Sequence, residues 1–216
     1  MRLMIAVPTL DFIHTEFVKS LLALTKYLHE DGVEHDVVIQ SGTLVYVARD
    51  NLAKKAVAEG YTHVLWLDSD MVFQEDLLDD LMFSGHQMVT AICHSRRPPH
   101  LSCCFRSLDP IDRYTLDEYP DDVFRIAGCG CAALLMETEV LRKVLDECGT
   151  AFAPMRALGE DLAFCFRAGL CGIEIYADPR VRVGHIGHIV IYPEDEERYI
   201  ASIQGGKACL NASKKQ

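Results

Sequence analysis

Two aspartates separated by one serine follow an apolar run in the first third of the chain. The run covers residues 63–67, and Asp68, Ser69 and Asp70 come directly after it. Carboxylates at this spacing can share a hard divalent cation, directly or through water, and the cation can bridge two phosphate oxygens. Asp and Ser are also common in turns and at helix starts, so the tripeptide taken alone favours a simple capping turn.

The elements around these aspartates alternate between strands and helices. Apolar runs and helix-spaced apolar residues predict strands over residues 3–8, 36–40, 63–67 and 87–92, and helices over residues 17–28, 47–59 and 75–83. Strands separated by helices are typical of a parallel sheet, and open α/β sheets bind ligands beyond the carboxyl ends of their strands. We therefore expect an α/β fold with Asp68 and Asp70 at the ligand-binding edge.

The second part of the chain is less regular. Residues 94–123 are rich in Pro, Arg, Asp and Ser, and we expect a long irregular excursion that is not part of the sheet. The later pattern predicts a strand ending at Met136, helices over 138–147 (capped by Thr138) and 160–168, and strands over 173–177 and 181–183. We place boundaries at 1–93, 94–192 and 193–216, the last being a polar C-terminal helix and tail.

Composition excludes several classes of protein. The 216 residues carry a formal net charge of −11 and scattered basic residues, so the basic surface that nucleic-acid binders need is missing. No apolar run reaches membrane-spanning length and no signal peptide is recognisable, so we expect no integral membrane segment. The nine cysteines are odd in number and several lie in apolar runs, which favours reduced thiols and a cytoplasmic location.

Three segments resemble the motifs of one enzyme family. The segments are Ala48-Arg49-Asp50-Asn51 followed by Asp68-Ser69-Asp70, then Gly159-Glu160-Asp161 opening a helix that contains Arg167, then a late strand leading to His185 and His188. The order of these segments resembles the order of motifs in the family 2 glycosyltransferases and related GT-A proteins, including short versions found in phage genomes. The resemblance spans residues 3–188.

The resemblance implies a GT-A fold, an open and mainly parallel sheet flanked by helices. Residues 1–93 would bind the nucleotide sugar. Residues 94–192 would form the other half of the same domain, which binds the acceptor and contains the catalytic residues. Asp68, Asp70 and His185 would hold a metal ion, with His188 an equal rival of His185. Carboxylate and imidazole ligands favour Mn²⁺ over Mg²⁺. A lone histidine is more often a satisfied surface or core residue, so that alternative stays open.

Analogy with the family makes Asp161 the candidate general base, with Glu160 beside it. A carboxylate at a helix N-terminus is kept ionised by the helix dipole and can take the proton of an acceptor hydroxyl. The alternative is that the two acids only begin the helix and have no catalytic role.

Residues that would bind the donor follow the first strand and lie on the second helix. Pro8, Thr9 and Asp11 stand where GT-A proteins hold the base and ribose, and Arg49 and Asp68 would contact the nucleotide. Arg49 could instead form an ion pair on the surface of a helix.

Two glycines and several further residues have weaker signals. Gly128 and Gly130 would leave room for the sugar ring, although a tight turn explains them as well. The pairs Cys103-Cys104 and Cys129-Gly-Cys131 lack zinc-site spacing and are assigned to packing. Arg96-Arg97 could grip a diphosphate, but a solvated basic loop is the preferred interpretation.

Together these features predict a metal-dependent transfer, with inversion, of a sugar from a UDP- or GDP-linked donor to a hydroxyl acceptor. The alternatives are a non-catalytic nucleotide-sugar-binding protein, a nucleotide-sugar hydrolase and a nucleotidyltransferase. A chain that resembles the nucleotidyltransferases of this fold would have a Gly-rich loop with Arg and Lys after the first strand. This chain has Thr9-Leu10-Asp11-Phe12 at that position.

Overall fold

The structure is a computed structural model that describes residues 1–97, 99–155 and 157–187. Its strands are β1 (Arg2–Pro8), β2 (Glu34–Gln40), β3 (His63–Leu67), β4 (Met71–Phe73), β5 (Met88–Ala91), β6 (Cys104–Leu108), β7 (Ile111–Arg113), β8 (Phe124–Ile126), β9 (Gly128–Cys129), β10 (Ala133–Glu137), β11 (Ile175–Asp178) and β12 (Val183–His185). Its α-helices are α1 (Thr15–Glu30), α2 (Val45–Ala58), α3 (Leu77–Met82), α4 (Thr138–Cys148) and α5 (Glu160–Leu170). His188 and the predicted C-terminal helix and tail at 193–216 lie outside the described residues.

Seven strands form the central sheet, in the order β2-β1-β3-β10-β5-β11-β8. The pairs β1–β2, β1–β3 and β5–β11 are parallel, whereas β10 runs antiparallel to both β3 and β5, and β8 runs antiparallel to β11. The predicted α/β fold with a mainly parallel sheet is therefore confirmed.

The sheet separates two apolar core clusters because successive side chains of a strand point to opposite faces. In β3, for example, Val64 and Trp66 belong to one cluster and Leu65 and Leu67 to the other. The first cluster also contains side chains of α2, α4 and α5, and the second contains side chains of α1 and α3. Burial on both faces explains why β3 is a continuous apolar run instead of an alternating one.

The segment 94–123 is more regular than expected. It contains β6, β7 and a 3-10 turn at Leu116–Glu118, and β6 also pairs with β9 to complete a three-stranded sheet in the order β7-β6-β9. The segment stays outside the central sheet, as expected, but the prediction that it is irregular is wrong. The strand β6 pairs with β9, which begins about twenty residues later in the chain. Sequence patterns report on neighbouring residues and therefore do not predict this pairing.

Two smaller boundaries also differ from the prediction. Thr138 is the first residue of α4, and the capping position is Glu137, whose side chain makes no capping hydrogen bond. The last short strand is Val183–His185 instead of residues 181–183. This shift places His185 inside a strand that pairs with β4.

Within the described ranges, no helix combines the length and the apolar character that crossing a membrane requires.

Candidate active site

Three charged residues from separate parts of the chain meet in one cluster, here called the Arg49 cluster: Arg49, Asp68 and Asp161. Arg49 lies on α2, Asp68 directly follows β3, and Asp161 is the second residue of α5. Nη2 of Arg49 donates a hydrogen bond of 2.8 Å to Oδ1 of Asp68 and lies 3.5 Å from Oδ1 of Asp161. One guanidinium therefore joins the carboxylates of the two predicted acidic motifs.

Arg49 lies in the interior of the protein. Its side chain is 2% exposed, and its guanidinium carbon lies 6.0 Å from the ring centres of Trp66 and Phe152. The alternative of a surface ion pair is therefore wrong. Burial lowers the pKa of Arg49, but the charges of Asp68 and Asp161 outweigh burial and hold the pKa above its ordinary value, so the guanidinium stays charged.

Several buried atoms of the Arg49 cluster lack a hydrogen-bond partner in the part of the chain that the structure describes. They are Nε and Nη1 of Arg49 and Oδ1 of Asp161. Buried polar atoms are nearly always hydrogen-bonded, and the exceptions need a bound group or a functional role to explain them. The cluster therefore has two donors of Arg49 that no described hydrogen bond satisfies, and Oδ1 of Asp161 has the ion pair with Arg49 but no hydrogen bond.

The environment of Asp161 changes its acidity. Burial raises the pKa of Asp161 from its ordinary value of 3.8 to about 6; the charge of Arg49 opposes this rise, and Asp68 and Glu160 add to it. Burial thus outweighs the helix start that was expected to keep the carboxylate ionised. A carboxyl with a pKa of about 6 is mostly ionised at neutral pH and still basic enough to accept a proton, which suits a general base.

Asp70 lies beside His185 because two short strands pair. β12 runs antiparallel to β4 with His185 opposite Met71, the residue after Asp70. The amide of Ile186 also donates a hydrogen bond of 2.8 Å to the carbonyl of Asp70. As a result, Nε2 of His185 lies 3.3 Å from Oδ2 of Asp70.

The hydrogen-bond partners of His185 fix where its proton lies. Its Nδ1 is 2.8 Å from the carbonyl oxygen of His94, which can only accept, so Nδ1 carries a hydrogen. In a neutral ring Nε2 then has a lone pair that faces the Asp70 carboxylate. Two acceptors face each other stably only with a positive charge between them, either a proton on Nε2 or a metal ion.

The same pair decides the direction of both pKa shifts. The hydrogen bond to Asp70 raises the pKa of His185, and burial of the ring opposes this rise. Burial also raises the pKa of Asp70, but the hydrogen bond from His185 and the positive charges of His185, Arg96 and His14 outweigh it and leave the pKa below its ordinary value.

The donor atoms at this pair fit a divalent cation. Two ligands at right angles, each about 2.1 Å from one ion, are about 3.0 Å apart, close to the separation of Asp70 and His185. Within residues 1–97, 99–155 and 157–187, however, no three His, Cys, Asp or Glu side chains form a group that could hold a metal ion. Asp70 and His185 thus offer two adjacent donor atoms of types that Mn²⁺ accepts.

Arg96 also binds Asp70, which the sequence interpretation missed. Its Nη1 forms an ion pair with Oδ2 of Asp70, the same oxygen that faces His185. The Arg96 side chain is 45% exposed, as the interpretation of a solvated basic loop predicts, but its ion pair with Asp70 was not predicted.

The loop after β1 is tied to the aspartate motif through Ser69. Its Oγ donates to Oγ1 of Thr9 at 3.2 Å, and its carbonyl accepts from the amide of His14 at 3.2 Å. Pro8 is buried at the end of β1, and Asp11 is exposed in the loop. The structure thus places Thr9 against the motif and leaves Asp11 further out in solvent.

The two predicted glycines have different surroundings. A Cβ on Gly128 would lie 3.0 Å from Cδ2 of Leu108 and 3.3 Å from Cβ of Cys165, so the close approach there is to apolar side chains. A Cβ on Gly130 would lie 3.7 Å from Oδ2 of Asp161. Only Gly130 of the two is therefore next to an acidic site residue.

Asp50 is a structural residue of the site for which the sequence predicts no role. Its Oδ2 accepts from Oγ1 of Thr150 at 2.7 Å, and its Oδ1 accepts from the amides of Ala151 and Phe152 at 2.9 and 2.7 Å. Arg167 of α5 donates to the carbonyl of Ala151 at 3.1 Å. These contacts hold residues 150–152 in place, in the segment that leads into α5. The sequence shows only a single acidic residue beside Arg49, so it does not predict these hydrogen bonds.

The eight cysteines within the described ranges are all free. Burial raises the pKa of Cys93 and Cys131 well above the ordinary value, so both thiols stay protonated. Of the four cysteines assigned to packing, Cys104, Cys129 and Cys131 are buried and Cys103 is partly buried.

No protein-family model and no curated protein sequence matches the chain. Solved structures do match. Protein A197 from STIV is 19% identical, with 87% of each chain covered and a TM-score of 0.58. The catalytic domain of Drosophila beta1,4-galactosyltransferase 7 in complex with xylobiose is 14% identical, covering 91% of this chain and 79% of that one, with a TM-score of 0.50.

A mutant of the same galactosyltransferase, solved with manganese, UDP-Gal and xylobiose, is 13% identical over the same shares of the two chains, also with a TM-score of 0.50. At these identities the likeness establishes the fold. The chain has the GT-A fold of glycosyltransferase catalytic domains, which confirms the predicted resemblance at the level of structure.

Proposed function

We propose that this protein is a metal-dependent glycosyltransferase that moves a sugar from a nucleoside diphosphate sugar to a hydroxyl acceptor with inversion. The observation that carries the proposal is the Arg49 cluster, which joins Asp68 of one acidic motif to Asp161 of the other on a GT-A fold. A fold alone does not define an activity, so the site must support it. The galactosyltransferase neighbour was solved with manganese and UDP-Gal, which makes the same ligand classes reasonable probes.

Asp161 would act as the general base. Oδ2, the carboxylate oxygen that does not face Arg49, would take the proton of the acceptor hydroxyl while the hydroxyl oxygen forms a bond to the anomeric carbon. The bond between that carbon and the diphosphate oxygen breaks, and the nucleoside diphosphate leaves. Arg49 would hold Asp161 and Asp68 at a fixed separation during this step.

Asp70 and His185 would hold the divalent cation, with Asp68 nearby. When bound, the cation would supply charge neutralisation for the leaving diphosphate. Thr9 and the exposed Asp11 would lie on the side of the donor base and ribose, and Gly130 would border the sugar beside Asp161. Glu160 would add negative charge next to Asp161 and so help to keep its pKa raised.

A thermal-shift panel tests the proposal. UDP, GDP and their sugars would be added to the wild type and to Asp70→Asn with Mn²⁺, Mg²⁺ or EDTA. We expect a Mn²⁺-dependent rise in Tm for the wild type, about 2.7 kcal/mol of stabilisation at a hundredfold excess over Kd, and its loss in Asp70→Asn. Asp146→Asn, on an exposed position of α4, serves as the matched control.

Two outcomes would contradict the proposal: stabilisation that ignores the metal and survives Asp70→Asn, or no stabilisation by any of these ligands. Turnover assays then separate the alternatives. Release of UDP or GDP without an acceptor-dependent product would indicate a hydrolase, and metal-dependent binding without release would indicate a binding protein.

A further inference from the structure

We infer that Arg96 occupies the cation site in the free protein and moves to the donor diphosphate when the cation binds. This inference rests on the proposed function. It adds that Arg96 exchanges its partner, from Asp70 to the donor diphosphate, when the cation and the donor bind. It starts from a shared partner: Nη1 of Arg96 and Nε2 of His185 both face Oδ2 of Asp70, so a cation that binds this oxygen beside His185 must compete with the guanidinium.

The loop that carries Arg96 is held by contacts that do not involve its side chain. The amide of Cys103 donates to the carbonyl of Cys93 at 2.9 Å, and the amide of Ser95 donates to the carbonyl of Leu101 at 2.8 Å. His94 forms a bridge with Ser102. The guanidinium can therefore leave Asp70 while the described backbone of the loop keeps its place.

The same loop also orients the histidine of the site. His94 lies two residues before Arg96 in the sequence, and its carbonyl accepts the hydrogen bond from Nδ1 of His185. One loop thus supplies both the His94 carbonyl, which turns Nε2 of His185 towards Asp70, and the Arg96 guanidinium, which pairs with the Asp70 carboxylate. Displacing the arginine leaves the orientation of His185 intact, because the carbonyl belongs to the backbone.

Charge and exposure decide where Arg96 goes. The Asp70 side chain is 13% exposed, and beside His185 its carboxylate can be neutralised by either the Arg96 guanidinium or a dication. A bound dication takes over this role and releases the 45% exposed guanidinium, whose ion pair with Asp70 is the one that the described residues give it. A guanidinium matches the geometry of phosphate oxygens through paired N–H donors, so a diphosphate on the cation is its natural new partner.

Titration calorimetry with Mn²⁺ alone tests the first half of the inference. Arg96→Ala should bind Mn²⁺ about fivefold more tightly than the wild type, because the internal competitor is gone. Arg96→Lys should lie between the two. Arg97→Ala, which changes the exposed neighbour on the same loop, should leave the affinity unchanged. Unchanged or weaker Mn²⁺ binding by Arg96→Ala would overturn the competition.

Titration of UDP and GDP into Mn²⁺-saturated protein tests the second half. Arg96→Ala should bind the nucleoside diphosphate about tenfold more weakly than the wild type, while Arg97→Ala should match the wild type. Equal binding by all three proteins would overturn the exchange and leave the proposed function standing. Failure of the wild type and of Arg96→Ala to bind Mn²⁺ at all would remove both the inference and the metal site of the proposed function.

Discussion

Replacing the half-buried carboxyl of Asp161, whose Oδ1 is inaccessible to solvent, by an amide should stabilise the protein at neutral pH. Burial raises the pKa of Asp161 from 3.8 to about 6 in the folded state. As the pH rises, the unfolded chain therefore releases this proton before the folded chain does. Stability that is present below about pH 4 is lost as the pH rises through 6.

The size of this effect follows from the shift. About two pKa units correspond to about 3 kcal/mol, reached near pH 7, and the difference falls to about 0.5 kcal/mol at pH 4. Asp161→Asn removes the ionisation, so its free energy of unfolding should exceed that of the wild type by these amounts. For a chain of this length the gain at pH 7 corresponds to a Tm higher by roughly 6–12 °C.

The assay is urea unfolding of the wild type and Asp161→Asn at several values between pH 4 and pH 8. Because both proteins share every other carboxyl group, the difference between them isolates position 161. Asp146→Asn, at an exposed position, should stay within about 0.5 kcal/mol of the wild type at every pH. A variant that is no more stable than the wild type at pH 7, or a difference that does not change with pH, would refute the role given to burial.

Two further pairs of substitutions test the supports of the site. Asp50→Ala removes the acceptor of the Thr150, Ala151 and Phe152 hydrogen bonds and should lower the free energy of unfolding by about 2–4 kcal/mol, whereas Asp50→Asn keeps an acceptor and should lose less. Equal losses in the two variants would argue against these bonds. Gly128→Ala places a Cβ 3.0 Å from Leu108 and should cost about 1–3 kcal/mol in chemical denaturation, while Gly130→Ala, whose nearest contact is 3.5 Å, should cost less than about 1 kcal/mol. The steric account fails if Gly130→Ala is the more damaging change.

Local patterns in the sequence predict the elements that carry the aspartates. Asp68 directly follows the apolar run of β3 as expected, and Asp161 lies in the first turn of α5 as expected. Both predictions succeed because a buried strand and a helix start are determined by neighbouring residues. The spacing of Asp68 and Asp70 indicates a cation site, whereas the roles of Asp161 and His185 are implied by a resemblance, and all of these roles stay proposals.

The contacts between these elements could not be predicted in the same way. Arg49, Asp68 and Asp161 are far apart in the chain, and their meeting depends on how α2, β3 and α5 pack. The ion pair of Arg96 with Asp70 likewise depends on the course of a loop whose composition resembles that of a solvated segment. The antiparallel direction of β10 depends on its two neighbours in the sheet and has no local sequence signal.

The position of β10 has a consequence for how the chain can be made. β10 lies between β3 and β5, yet it is synthesised more than forty residues after β5. Until Ala133–Glu137 leaves the ribosome, β3 has an open edge facing β5 and the sheet has a gap in its middle. A nascent chain that stops short of β10 would expose unpaired strand edges to other chains, so the first 93 residues cannot complete this sheet on their own.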